Sequence, residues 1–161
     1  MPIRWKLFRV ICILQMLASS ILAIMALISL FNNISIYTFI VVLLFVLIFM
    51  LTILAIGILN NNYPDVPVSG KQKTNFNRLF LLNFLFLVFL FGIIIAEYRA
   101  LDSLATFAGR SVFGLPLKLL SYLMGNVIVL IFQFIIFYGL YHLRRELYIN
   151  FTRKQFDFEK T

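Results

Sequence analysis

Between Arg9 and Asp65 lie 55 consecutive residues, 10–64, without a single charge, most of them Leu, Ile, Val, Phe and Met. A run like this cannot be the skin of a water-soluble fold, because elements facing water need a polar stripe or alternation that it lacks. A helix crossing the ~30 Å hydrocarbon core of a bilayer takes about 20 apolar residues. The run therefore holds two crossings and a turn. A further 18 uncharged residues, Leu79–Ala96, supply a third crossing. A fourth apolar segment follows at about 115–143. Apolar residues make up 63% of the chain and charged residues 12%, where soluble domains carry roughly 25% charged.

The expected fold is all-α: an antiparallel bundle of four transmembrane helices built as two helical hairpins. "MPIRWKLFRV" resembles the n-region of a signal peptide, but the apolar run continues to Phe31 with no polar cleavage region, so a retained helix over 7–31 is expected. "FNNIS" makes a tight turn, with Asn32 and Asn33 as turn residues. The second helix covers 36–59. A loop at 60–76 follows, where Pro64 and Pro67 bar helix and Thr74 or Asn75 caps the next one. The third helix covers 77–100. After "DSLATFAGRSVFG" the fourth runs over 115–143, with Pro116 in its first turn. The four spans make one transmembrane domain, 1–143, and residues 144–161 form a basic, aromatic tail.

Cations orient this plan. Arg4, Lys6 and Arg9 precede the first span; Lys71, Lys73 and Arg78 flank the central loop; Arg144, Arg145, Arg153, Lys154 and Lys160 follow the fourth. Those groups share one side of a four-span protein, and the excess of Lys and Arg places that side, with both termini, in the cytoplasm. The expected location is the plasma membrane, in particular a bacterial inner membrane, given a composition rich in Ile, Asn, Lys and Phe. The net charge of +8 does not point to nucleic acid, since the cations stand at the ends of apolar segments rather than along one face. Arg144, Arg145, Arg153 and Lys154 with Phe156 and Phe158 are read as a tail lying on anionic lipid.

Two polar groupings are candidates for function. Glu97, Arg99 and Asp102 stand at the outer end of the third span, either as a helix boundary or as a polar mouth for a cation or substrate. The second grouping is uncharged and intramembrane. In the fourth span, Tyr122, Asn126, Gln133 and Tyr141 recur at spacings of 4, 7 and 8, with Gly125 and Gly139 beside them. Asn83 lies 14 residues before Glu97 on the third span, and Gln15 and Ser19 form a polar row in the first. Amides in lipid must find partners, so these rows are expected to face inward and bond helix to helix. A neutral polar pathway is the other reading.

Catalysis is poorly supplied. The chain has one His, one Cys and six acids. His142 belongs to the inner end of the plan and Glu97 and Asp102 to the outer, about a bilayer apart. No metal ligand set, cofactor or catalytic residue is assigned, and the single Cys12 excludes an internal disulfide. "SGKQKT" lacks the leading glycine and strand of a phosphate-binding loop. The four-span plan looks like that of the small multidrug transporters, which carry a membrane-embedded Glu in the first span; this chain offers Gln15 there, and the family is not assigned. The reading is an integral membrane protein acting as a non-catalytic accessory or scaffold component, packing with itself or within a larger membrane complex. The alternative is a small homo-oligomeric transporter or channel with a neutral polar pathway.

Overall fold

The computed structural model describes residues 2–32, 34–62, 70–115 and 117–158, with side-chain surroundings for all of these except 62, 70–73, 118, 119, 150, 151 and 153–158. Asn33, Pro64, Pro67 and Pro116 thus lie outside the described residues, as do the side chains of Arg153, Lys154, Phe156 and Phe158. The chain is all-helical: α1 (Ile3–Asn32), α2 (Ile36–Asn62), α3 (Gly70–Phe107), a short 3-10 turn (Val112–Gly114) and α4 (Leu117–Phe158). Among the described residues, four helical segments are long and apolar enough to cross a membrane: Ile3–Asn32, Ile36–Asn61, Thr74–Phe107 and Leu120–Ile149.

The helices run further than the apolar segments alone imply. α3 begins at Gly70 and ends at Phe107, beyond the 77–100 expected, because charged side chains do not interrupt backbone hydrogen bonding. What stops it is Gly109, whose φ of +64° is one that L side chains rarely adopt. Arg110 N–H donates to Ala105 C=O at 2.9 Å and Gly109 N–H to Thr106 C=O at 3.1 Å, the paired bonds of a Schellman cap. α4 is one helix of 42 residues, because neither Gly nor Pro occurs after Gly139. The step at Leu143 is a change of side-chain polarity within a continuous helix.

α1 packs chiefly on α2 and α4, and α4 on α3, while α2 and α3 touch less. One core cluster joins Trp5, Phe8 and Cys12 of α1 to Leu51, Ala55 and Leu59 of α2, Phe76 and Leu79 of α3, and Ile136, Leu140, Leu143 and Leu147 of α4. A second joins Leu22 and Ala26 to Val41, Leu44, Phe45 and Ile48, Leu90 and Val129. The start of α1 therefore sits with the end of α2, the start of α3 and the end of α4. A third, smaller cluster of Leu101, Ala105, Val112 and Leu120 closes the α3–α4 connection.

Gly139 and Gly125 bring α1 and α4 close. A Cβ on Gly139 would overlap the Phe8 ring, and one on Gly125 would stand 2.8 Å from Leu22 Cδ2. Each glycine makes room for a large α1 side chain, as small residues do where membrane helices approach closely.

The distribution of polarity is inverted relative to a soluble fold. The described buried polar side chains are Gln15, Ser19, Thr52, Asn83, Asn126 and Gln133, all within the apolar helical segments. Outward faces carry large apolar residues such as Ile24 (60% exposed), Met50 (57%), Phe89 (60%) and Phe134 (58%). Apolar patches of that extent are not tolerated in water. In lipid the same surface is matched to its solvent.

Candidate functional site

Two polar levels lie between the helices. The first is a ladder of three amides. Gln15 Nε2 donates to Gln133 Oε1 at 3.0 Å and also reaches Val129 C=O at 3.3 Å. Gln133 Nε2 donates to Asn83 Oδ1 at 2.7 Å, and Asn83 Nδ2 donates to Leu79 C=O at 2.8 Å in its own helix. The three side chains are at most 1% exposed. The ladder crosses from α1 through α4 to α3, and each bond contributes about 0.6–2 kcal/mol in a membrane interior. Gln15 Oε1 is buried without a hydrogen-bond partner.

The second level joins α3 to α4. Asn126 Nδ2 donates to Glu97 Oε2 at 2.7 Å. Asn126 is fully buried and Glu97 partly so. Glu97 Oε1 and Asn126 Oδ1 are both buried with no hydrogen-bond partner. The phenols of Tyr37 on α2 and Tyr122 on α4 lie within electrostatic reach of the Glu97 carboxyl and, for Tyr122, of each other. Asn83 and Glu97 are fourteen residues apart on α3, and their partners Gln133 and Asn126 are seven apart on α4. One face of α3 thus meets one face of α4 at both levels.

The remaining candidates are placed as follows. Arg99 and Asp102 are exposed and, among the described residues, form no ion pair with Glu97 or with each other. Arg99 is two positions past Glu97, which turns it about 200° around the helix. Ser19 is fully buried, and its Oγ donates to Met16 C=O at 3.2 Å within α1. Tyr122 is partly buried against the second core cluster. Tyr141 leaves the inward face: eight residues beyond Gln133 it has turned about 80°, is 48% exposed, and stands beside Phe80 at 6.5 Å and His142 at 5.7 Å between ring centroids. Arg144 and Arg145 are exposed on α4.

Five further contacts were not singled out by the sequence. Glu146 accepts from Trp5 Nε1 at 3.1 Å and pairs with Arg4, pinning the start of α1 to the end of α4. The Arg4 guanidinium also stands 5.6 Å over the Trp5 ring, in cation–π range. Arg9 Nη2 donates to Asn60 Oδ1 at 2.6 Å, tying α1 to the end of α2. Thr52 Oγ1 donates to Ile48 C=O at 2.8 Å. The available signal for Glu146 was an acid set directly after Arg144 and Arg145. No group of three His, Cys, Asp or Glu able to hold a metal occurs among the described residues.

Four long apolar helices, apolar outside and polar within, define the class: a multi-pass helical membrane protein. Comparison with known proteins adds no family, since no protein-family model, no curated protein and no solved structure matches the chain.

Proposed function

We propose that this protein is a non-catalytic accessory or scaffold component of a membrane assembly. Its helices form an antiparallel bundle of two hairpins in the plasma membrane, a bacterial inner membrane, with both termini cytoplasmic. The observation that carries this reading is the Gln15–Gln133–Asn83 ladder. These amides are sealed from the surroundings and give their hydrogen bonds to one another and to helix carbonyls, which is what helix-holding groups do and what groups lining a route for solute cannot. With the polar groups turned inward, the outer faces offer apolar surface to lipid or to neighbouring helices. α3 is the most available for a partner: 17% of its most apolar stretch is buried, against 39% for α2. A second copy of the chain or another membrane protein would dock there through van der Waals contact. At the cytoplasmic face, Arg144 and Arg145 with the tail residues Arg153, Lys154, Phe156 and Phe158 would bind anionic lipid.

A second reading, a small oligomeric transporter or channel, is favoured by one observation. Glu97, Asn126 and Gln15 each keep a buried oxygen without a donor, which marks polar capacity beyond that needed for packing.

One experiment separates the two. Gln133→Leu and Asn126→Leu variants are purified, their oligomeric state and melting measured, and reconstituted vesicles assayed for ion and solute flux. The scaffold reading expects lowered melting temperature or lost assembly and no flux from the wild type. Flux by the wild type that disappears in a well-folded variant would establish the transporter reading instead.

A further inference from the structure

The second polar level has an imbalance that one particle cures. Asn126 donates to Glu97 Oε2, leaving Glu97 Oε1 and Asn126 Oδ1 as buried acceptors without a donor. Rotating the Asn126 amide does not help while Glu97 is a carboxylate, since an acceptor would then face an acceptor. No Lys or Arg among the described residues pairs with Glu97. Ca2+ or Mg2+ asks for six or more oxygens, and this pair offers three. A protonated carboxyl has one donor and one acceptor, and so does the edge of a primary amide. The two match.

We propose that Glu97 and Asn126 form a proton-binding site, in which Glu97 carries a proton on Oε1 and donates it to Asn126 Oδ1 while Oε2 accepts from Nδ2. The proton closes a two-bond ring between α3 and α4 and leaves neither oxygen orphaned. Binding takes one proton from a hydronium ion and leaves water, so no other reactant is required. Among the described residues, the titratable groups within electrostatic reach of Glu97 are Tyr37 from α2 and Tyr122 from α4. α1 brings none: beyond Arg9 its one titratable side chain is Cys12, which packs in the first core cluster with Trp5, Phe8 and Leu59. On α3 itself, Arg99 and Asp102 are exposed away from the pair. Tyr37 is 48% exposed. The inference does not depend on the scaffold reading, since the test detects the proton itself and not flux or assembly.

Infrared difference spectroscopy of the full chain in phosphatidylcholine vesicles tests it. At neutral pH the wild type should show the C=O stretch of a protonated carboxyl, lost on going to strongly alkaline pH. Glu97→Gln should remove that band and stay folded, because a Gln–Asn pair keeps both bonds. Asn126→Leu should keep the band and move it to higher frequency, as expected for a carboxyl freed from its acceptor. The proposal is overturned if the wild type shows carboxylate stretches only, or if the band survives Glu97→Gln. It is equally overturned if Asn126→Leu leaves the frequency unchanged, or if sodium rather than acid alters the band.

Discussion

Gln133 stands in the middle of the amide ladder, giving to Asn83 and taking from Gln15. Gln133→Leu removes both bonds at once and leaves Asn83 Oδ1 buried without a donor, so unfolding in detergent should be easier by about 2–4 kcal/mol. Gln15→Leu also removes two bonds and leaves Gln133 Oε1 without a donor, but it takes away the unpartnered Gln15 Oε1 as well, and should cost less. Calorimetry or denaturant titration in micelles measures both. At the other end of the core, Trp5 is the only tryptophan in the chain and is 2% exposed. Glu146→Gln should weaken its indole hydrogen bond and release Arg4, giving a red-shifted emission, while Arg145→Gln, exposed on the same turn, should leave the spectrum unchanged. The sequence could put Asn126 and Gln133 on a common face, because seven residues make almost two turns. It could not say that one meets Glu97 and the other Gln15 and Asn83, because partner choice depends on how far each helix slides past the next. Nor could it reveal Glu146, whose role rests on a helix that begins more than a hundred residues earlier.

The helices show the same division. Where a segment is apolar is written in composition, and all four were legible for that reason. Where each ends depends on backbone chemistry that charge does not report: the sequence marked Glu97 and Arg99 as the close of the third helix, and the stop is the left-handed Gly109. Contact between helices turns on two other glycines. Gly139→Leu drives a side chain into the Phe8 ring and should lower the melting temperature markedly, with Phe8→Ala restoring part of the loss. Gly125→Ala meets only the flexible end of Leu22 and should be milder. Gly57 and Gly92 have open space around them, so Gly57→Ala and Gly92→Ala should be neutral or raise stability by up to about 1 kcal/mol through helix propensity. Melting of the four variants side by side distinguishes a packing glycine from an incidental one.

For the molecule in its bilayer, the buried Cys12 is a convenience, since a sealed thiol should resist maleimide until the protein is unfolded. Single cysteines placed at the exposed positions Asp102 and Arg145 can then report sidedness. With both termini cytoplasmic, an impermeant maleimide added to intact cells should label Asp102→Cys, and Arg145→Cys should react only after the membrane is opened. Labelling of both from outside would overturn the orientation drawn from the cations. α4 carries a mechanical consequence as well. It is an unjointed rod of 42 residues, about 63 Å long, roughly twice the hydrocarbon thickness. Whatever grips its last turns would hold the handle of a shaft on which Asn126 and Gln133 are mounted, so a twist applied there would be felt at the Glu97–Asn126 contact.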